Sequence, residues 1–185
     1  MRICIFCSAN ADIDPDFFSF TRSLGEHLAH EGHTVVFGGC DMGLMRCLAE
    51  SVTGAGGEVV GVVPRIVEDG GGESPLLTRI ISCCDLNDRK AIMMEESDAF
   101  LVLPGGIGTL DELFTVAASS TIGYHNKPIV VYNIKGFWSS LVALLDDMQA
   151  RGMIRGDWRQ YLRIVDRLEL LDAVLRDPSG FGKNA

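Results

Sequence analysis

The stretch DAFLVLPGGIGTLDEL, residues 98–113, contains a strand, a turn and a helix in immediate succession. Its first part, residues 98–104, is an apolar run of the length expected for a buried strand, and it ends at a proline. Glycine then occupies three of the next four positions, and a helical pattern follows directly. We predict a strand over 98–104 and a helix that begins at Thr109 and ends near Gly123. Units of this kind build parallel sheets with helices on both faces.

The same alternation continues in both directions from this stretch. Further apolar runs predict strands at 3–7, 34–38, 58–64, 128–133 and 162–165. Helical spacing predicts helices from Pro15 up to Gly32 and over 43–53, 88–96, 137–150 and 168–175. The expected fold class is α/β, a single-domain, Rossmann-like, doubly wound parallel sheet over residues 1–178, with a loose tail at 179–185.

Composition and charge restrict the partners that the protein can have. The chain has 185 residues, 47% of them hydrophobic, which is enough for one domain with a substantial core. Its net charge of −9 argues against nucleic acid and anionic membranes, because both attract clustered Lys and Arg. No apolar stretch has the length of a membrane span, and the N-terminus lacks the pattern of a signal peptide. We therefore expect a cytoplasmic protein that binds neither nucleic acid nor membranes.

The cysteines and histidines do not have the spacing of a metal or redox site. Cys4 and Cys7 form a C-x-x-C, but they lie inside a predicted strand, whereas redox motifs of this type open a helix. No second C-x-x-C follows at zinc spacing. His27, His30 and His33 lie around a predicted helix C-terminus, where positive charge is favourable. We predict buried, reduced thiols and no bound metal.

Doubly wound sheets bind ligands beyond the carboxyl ends of their strands. Four predicted loops lie there, at 8–14, 38–43, 65–75 and 104–109. The last one predicts a phosphate site, because its glycines permit unusual backbone conformations in which successive N–H groups face an anion, and Thr109 then caps a helix. The 38–43 turn is weaker, because close helix–strand packing also explains its glycines and no G-x-G-x-x-G is present. The candidate phosphate-binding residues are Ser8, Gly39, Gly43, Lys90, Gly105, Gly106, Ile107, Gly108 and Thr109.

Charged residues at two places in the sequence are candidates for chemistry, and each place also has a structural explanation. Glu112 follows Thr109 at the spacing of a capping box, in which it would only reach back to a backbone N–H. Alternatively, its carboxylate faces the sugar of a ribose phosphate. Arg89 and Lys90 lie at the start of a predicted helix, where cations are unfavourable unless an anion binds nearby. A solvated pair is the other explanation, although the fork of an arginine suits a phosphate.

Together these motifs resemble the LOG ("lonely guy") family, the cytokinin riboside 5′-monophosphate phosphoribohydrolases. The family's P-G-G-x-G-T-x-x-E matches at every fixed position from Pro104 to Glu112. Its M-H-x-R-K-x-x-M falls on residues 86–93, which keep Arg89, Lys90 and Met93 but have Leu86 and Asn87 in place of the first methionine and the histidine. Its G-G-G-x-x-G-L-M falls on residues 38–45, with Cys40 in place of the third glycine. The resemblance covers nearly the whole chain.

The resemblance implies a Rossmann-like homodimer without a cofactor, in which Arg89 and Glu112 are the catalytic pair. The implied reaction is hydrolysis of a nucleoside 5′-monophosphate to free base and ribose 5-phosphate. Glu112 would stabilise an oxocarbenium-like charge, hold the ribose hydroxyls or orient water. Arg89 would bind phosphate or help the base to leave, and Lys90 would add positive charge. A non-catalytic carrier of a nucleotide or of the molybdenum cofactor, with the same fold, is the alternative.

Departures from the family motifs concern the base pocket. The family's W-A-Q-L-G-I-H is SSTIGYH here, at residues 119–125. Its substrate-contacting glutamate would align near Gly71, with Glu68 and Glu73 close by in the sequence. The prediction therefore covers the reaction and leaves the identity of the base open.

Overall fold

A seven-stranded sheet forms the centre of the computed structural model, which describes residues 1–176. Its strands are β1 (Arg2–Phe6), β2 (Thr34–Phe37), β3 (Glu58–Pro64), β4 (Arg79–Cys83), β5 (Ala99–Val102), β6 (Ile129–Tyr132) and β7 (Arg163–Val165). Their order across the sheet is β4-β3-β2-β1-β5-β6-β7, and every neighbouring pair is parallel. The predicted doubly wound α/β fold is confirmed.

Helices cover both faces of this sheet. They are α1 (Pro15–His30), α2 (Gly43–Gly54), α3 (Arg65–Asp69), α4 (Leu86–Glu95), α5 (Ile107–Thr121), α6 (Ser139–Ala150) and α7 (Leu168–Arg176). Helices α1, α2 and α7 contribute to one core, and α4, α5 and α6 contribute to the other. Within residues 1–176, every helix is too short or too polar to reach across a lipid bilayer.

Alternation along β1 explains why its sequence is apolar throughout. Ile3 and Ile5 join the core beneath α1 and α2, whereas Cys4 joins the core beneath α4 and α5. Successive side chains of a strand point to opposite faces, and here both faces are covered. Cys4 and Cys7 therefore lie in different cores and are unpaired. All six cysteines are free, and the predicted burial of the C-x-x-C pair is confirmed, whereas Cys40 is half-buried and Cys84 is exposed.

Several predicted boundaries are wrong, and one strand was not predicted. Strand β4 lies at the sheet edge and is mostly exposed, so its sequence lacks the apolar run of a buried strand. The 65–75 segment, predicted as a loop, begins with the short helix α3. Helix α4 begins at Leu86 instead of near 88, because the Asp85 side chain accepts hydrogen bonds from two amides of the first turn. The predicted tail at 179–185 lies outside the described residues.

Candidate active site

Three of the predicted ligand loops meet beyond the carboxyl end of β1. The Ser8 amide donates a hydrogen bond to the Pro104 carbonyl oxygen over 3.1 Å, and the Ser8 carbonyl oxygen accepts from the Leu44 amide over 2.9 Å. Strand β1 lies between β2 and β5, and the chain crosses from one half of the sheet to the other at this position. A crevice at such a reversal of strand order is where doubly wound sheets bind ligands. The prediction that the loops around 38–43 and 104–109 share one crevice is confirmed.

Two glycines allow the loop after β2 to approach the loop after β1 and strand β3 closely. Gly43 has φ +57°, and a Cβ there would lie 2.5 Å from the carbonyl carbon of Ala9. Gly39 has φ +72°, and a Cβ there would lie 2.5 Å from a methyl group of Val63. Both positions therefore require glycine for backbone conformation and packing. Their predicted phosphate contacts remain a prediction.

The 65–75 segment is joined to the same group of loops. The Ser74 amide donates to the Gly39 carbonyl oxygen over 2.7 Å, and the Asp41 amide donates to the Gly72 carbonyl oxygen over 3.1 Å. An isolated antiparallel bridge connects Cys40 and Glu73 between these two bonds. All four predicted loops thus lie at the carboxyl ends of the strands, on the same side of the sheet.

The N-terminus of α5 is open and has no side-chain cap. The helix begins at Ile107, and its N-cap residue is Gly106, which has no side chain to accept a hydrogen bond. The prediction that Thr109 opens and caps this helix is wrong. Because Thr109 is the third helical residue, the capping-box explanation of Glu112 is also wrong. The first-turn N–H groups have no acceptors within the helix, so this end favours an anion.

The glycines of this loop act differently from the prediction. Gly105, Gly106 and Gly108 all lack the positive φ values expected of a glycine-dependent nest. Gly105 is required by packing, because its Cβ would lie 2.1 Å from the Thr109 hydroxyl oxygen. A Cβ at Gly106 or Gly108 would meet no atom within 4 Å. Ligand approach to the backbone N–H groups is therefore open at these two positions.

Glu112 and Arg89 face each other in a nearly buried position beneath this loop. The distance from Glu112 Oε1 to Arg89 Nη2 is 3.8 Å, and their side chains are 10% and 15% exposed. Arg89 Nε also donates to the Val62 carbonyl oxygen over 3.1 Å. Helix α5 supplies the carboxylate and α4 supplies the guanidinium, so the pair forms only when both helices pack on the sheet.

Gly38 provides the space that the Arg89 guanidinium occupies. A Cβ at Gly38 would lie 1.7 Å from Arg89 Nη2, and the backbone there does not have positive φ. The absent side chain therefore positions the arginine, and the turn conformation does not require glycine. Sequence reasoning included Gly38 only as the start of a loop, because its contact partner lies far along the chain.

Burial gives the Glu112 carboxyl an unusual titration. Its pKa is raised from 4.5 to about 7, mainly by desolvation, while Arg89 opposes the rise and Asp111 adds to it. Burial and the nearby Glu112 also raise the pKa of the Cys4 and Cys7 thiols. These thiols are therefore protonated and unreactive, whereas Glu112 changes its charge near neutral pH.

Lys90 does not point freely into the crevice. Its Nζ donates to both carboxylate oxygens of Asp111, over 3.0 and 2.8 Å. This ion pair connects α4 to α5 one residue away from each member of the Arg89–Glu112 pair. Lys90 thus contributes to holding the two helices together, and its positive charge is already balanced.

Comparison with known proteins assigns the family. The sequence model of a family described as "Possible lysine decarboxylase" matches residues 45–174. The probable cytokinin riboside 5′-monophosphate phosphoribohydrolase LOGL1 of Oryza sativa subsp. japonica is 39% identical over 163 residues, which are 87% of this chain and 72% of the relative. This chain belongs to the LOG family. Cytokinin riboside 5′-monophosphate phosphoribohydrolase LOG5 of Arabidopsis thaliana is 33% identical over 158 residues, 85% of this chain and 69% of the relative.

Solved structures show the breadth of the fold to which this LOG-family chain belongs. The molybdenum cofactor binding protein from the phototrophic bacterium Rippkaea orientalis superposes with a TM-score of 0.71. The sequence identity is 20%, and the alignment covers 94% of this chain and 96% of that chain. At this identity the likeness shows a common fold alone.

Two acidic residues near the crevice of this LOG-family chain differ in their partners. The Glu68 carboxylate accepts hydrogen bonds from the Ser82 hydroxyl over 2.7 and 2.9 Å, so it is occupied. Glu73 has one buried carboxylate oxygen with no hydrogen-bond partner among the described residues. Buried oxygens without a partner are uncommon in folded proteins, and a ligand contact is one explanation for them. Of the two, Glu73 is therefore the better candidate for a ligand contact.

Proposed function

We propose that this LOG-family protein hydrolyses the N-glycosidic bond of a nucleoside 5′-monophosphate to free base and ribose 5-phosphate. The observation that carries the proposal is the nearly buried Arg89–Glu112 pair below the uncapped N-terminus of α5. A phosphate at the helix end would leave the ribose close to the pair. The curated relatives described above are named as phosphoribohydrolases, which supports the same reaction.

The phosphate would bind to the first-turn N–H groups of α5. These groups belong to the loop of residues 105–109, where glycine leaves the backbone open to a ligand. The positive end of a helix favours an anion at this position. Ser8, Gly39 and Gly43 would complete the crevice from the neighbouring loops. Binding energy from the phosphate would then hold the glycosidic carbon in place for reaction.

Glu112 would act on the ribose as the base departs. Cleavage of the glycosidic bond builds positive charge on the sugar ring, and a carboxylate stabilises that charge. The same carboxylate is placed to hold the ribose hydroxyls or to orient the attacking water. Its pKa of about 7 means that the charged form predominates above neutral pH. Arg89 would bind phosphate or stabilise the departing base. Lys90 would add positive charge further away, where Asp111 balances it.

A carrier of a nucleotide or of the molybdenum cofactor is the second candidate. The shared fold with the Rippkaea orientalis protein favours it. A carrier, however, has no use for a nearly buried carboxylate beside an anionic ligand, because the two negative charges repel. The retention of Glu112 beside Arg89 therefore favours the enzyme.

A screen for released base tests the proposal. Purified protein is incubated with purine and pyrimidine nucleoside 5′-monophosphates, and free base is measured by chromatography. We expect base release from at least one nucleotide and far slower release from the matching nucleoside, because the phosphate anchors the substrate. Tight nucleotide binding without release would favour the carrier. Equal rates for AMP and adenosine would exclude phosphate anchoring.

We also propose that the protein is a homodimer and acts in the cytoplasm. Helix α5 exposes Ile107 and Phe114, and its C-cap residue Ile122 is exposed beside them; the three are 88%, 41% and 66% exposed. Their spacing of seven and eight residues places them on one side of the helix, as in an interface. All six cysteines are free, as in proteins of a reducing compartment.

A further inference from the structure

A cavity lies beside the glycine loop, and the proposed reaction places neither the base nor the ribose of the substrate in it. Its volume is about 220 Å³. Lining residues include Ser8, Ile13, Phe17, Gly105, Gly106 and Phe137. Complete ligand pockets occupy roughly 300–1,000 Å³, so this cavity has the size of a subsite for one part of a ligand.

The cavity is separate from the Arg89–Glu112 pair. Neither residue lines it, whereas Gly105 and Gly106 of the proposed phosphate loop do. A scissile base must lie near Glu112, because that carboxylate acts on the carbon to which the base is bonded. The cavity is therefore next to the phosphate end of the substrate and away from its reacting end.

Two aromatic rings line the cavity together with the glycine loop. Phe17 and Phe137 meet edge to face, with ring centroids 5.6 Å apart. Lys135 holds this wall to α1, since its ammonium donates to Asp14 over 2.8 Å and to Asp16 over 2.6 Å. The ammonium is thus paired outside the cavity, and no charged side chain among the described residues lines the space. A neutral planar ring suits such walls better than a charged group does.

The position of the cavity relative to the sheet indicates the direction in which a bound ligand would extend. The cavity is lined by the loops that follow β1 and β5, where the strand order reverses. Doubly wound sheets bind two-part nucleotides across this crevice, with their phosphates at the glycine turn. A ligand that spans the loop can therefore place one part near Glu112 and another in the cavity.

We propose that this cavity binds a neutral aromatic ring that is esterified to the substrate phosphate, through an oxygen other than the one bonded to the ribose. The substrate class of the site then includes nucleoside 5′-phosphates esterified with an aromatic group, in addition to simple monophosphates. The inference rests on the proposed function for the position of the phosphate. The chemistry is shared by aryl phosphate esters and by the second half of a dinucleotide.

Binding of small phosphates tests the cavity without reference to catalysis. Calorimetry compares phenyl phosphate, methyl phosphate and inorganic phosphate on the full chain. We expect phenyl phosphate to bind roughly tenfold or more tightly than methyl phosphate, because the ring buries apolar surface. Equal affinities for the phenyl and methyl esters would overturn the proposal.

Two variants locate the ring. Phe137→Ala removes an aromatic wall, and Ile13→Trp fills the cavity while keeping an apolar side chain. Both are expected to reduce phenyl phosphate affinity to that of methyl phosphate and to leave methyl phosphate affinity unchanged. The second variant guards against loss of folding in the first. A phenyl preference that survives both substitutions would place the ring elsewhere and overturn the proposal.

The phenyl ester of AMP connects the cavity to the reaction. We expect adenine release from this ester with a lower KM than from the methyl ester of AMP, and Ile13→Trp should remove the difference. Release from AMP with no advantage for the phenyl ester would overturn the subsite alone. No base release from any nucleotide, together with a phenyl preference in calorimetry, would overturn the enzyme proposal and keep the subsite.

Discussion

Glu112 and Arg89 form an ion pair in a nearly buried position. A carboxylate that is 10% exposed loses most of its favourable hydration free energy. The attraction of Arg89 at 3.8 Å compensates for only part of this loss. The result is a carboxyl whose pKa rises to about 7. Perturbed acids of this kind are concentrated at functional sites. At the residue scale, Glu112 is therefore the most informative position to change.

Glu112→Gln is expected to reduce kcat by roughly a hundredfold or more, the scale of losing one electrostatic contact to the transition state. Nucleotide affinity should hold or increase, because a negative charge near the phosphate disappears. Measurements of base release and of nucleotide binding on the same preparation separate the two effects. Glu95→Gln, on the exposed side of α4, is the matched control. A folded variant that binds nucleotide and turns over at the wild-type rate would remove Glu112 from the chemistry.

The same substitution should change how stability depends on pH. The folded-state pKa of Glu112 lies above its ordinary value of 4.5, so its contribution to stability is complete below about 4.5 and is lost as pH rises through about 7. The glutamine variant carries no such titration. We expect the free energy of unfolding of wild type, relative to Glu112→Gln, to fall by up to about 3 kcal/mol between pH 4.5 and pH 8. Denaturant unfolding at several pH values measures this, and a constant difference would contradict it.

At the scale of elements, the site depends on how helices meet the ends of strands. Helix α5 begins without a cap at the end of β5, and α4 carries Arg89 to the end of β2. The Lys90–Asp111 ion pair connects these two helices. The guanidinium of Arg89, on α4, lies against Gly38 in the loop after β2. A substitution in that loop should therefore alter catalysis by displacing Arg89, although the loop and α4 are far apart in the sequence.

Gly38→Ala is expected to lower kcat/KM by tenfold or more while the protein stays folded. The new Cβ would lie 1.7 Å from Arg89 Nη2, so the guanidinium must move. A displacement on the order of 1 Å in a positioned group can cost up to about a hundredfold in rate. The stability loss should stay within about 1 kcal/mol, because the flexible end of the arginine can shift and the backbone φ is not positive.

Gly54→Ala is the control for this substitution. Gly54 ends α2, and a Cβ there would meet no atom within 4 Å. It should leave activity nearly unchanged and should not lower thermal stability, because alanine favours a helix more than glycine does. Equal activity of Gly38→Ala and wild type would mean that the position of Arg89 is not important for the reaction.

At the scale of the whole molecule, the net charge opposes association between copies of the protein, whereas the exposed apolar surface favours it. A net charge of −9 keeps copies apart at long range. The apolar side of α5 nevertheless offers a surface that water solvates poorly. A short-range interface on that side is compatible with both observations.

Light scattering at micromolar concentration is expected to show a dimer. Phe114→Glu should produce a folded monomer, because it places a charge on the proposed interface. Phe20→Glu is the matched control, since Phe20 on α1 is also 41% exposed. A monomeric wild type with full activity would exclude the dimer, and equal effects of the two substitutions would place the interface elsewhere.

The local pattern of the sequence was sufficient to predict the fold class and the crevice in which the candidate site lies. Apolar runs separated by helical spacing identified six of the seven strands, because strands buried on both faces are apolar throughout. Asp14 before Pro15 predicted the start of α1, and the structure shows the Asp14 side chain accepting from a first-turn amide. The glycine turns after β2 and β5 predicted a common crevice, since the carboxyl ends of parallel strands share one edge.

Only the tertiary structure decided how the residues of the site act on one another. The spacing from Thr109 allowed Glu112 to be part of a capping box. The structure excludes this role, because α5 begins at Ile107 and Thr109 is already inside the helix. Spacing also could not pair Glu112 with Arg89 or place Gly38 against that guanidinium. The physical reason is that periodicity records which face of an element is buried, whereas these contacts depend on the order in which distant elements pack. Strand order and helix packing are properties of the whole chain, and they set the burial that brings the pKa of Glu112 to about 7.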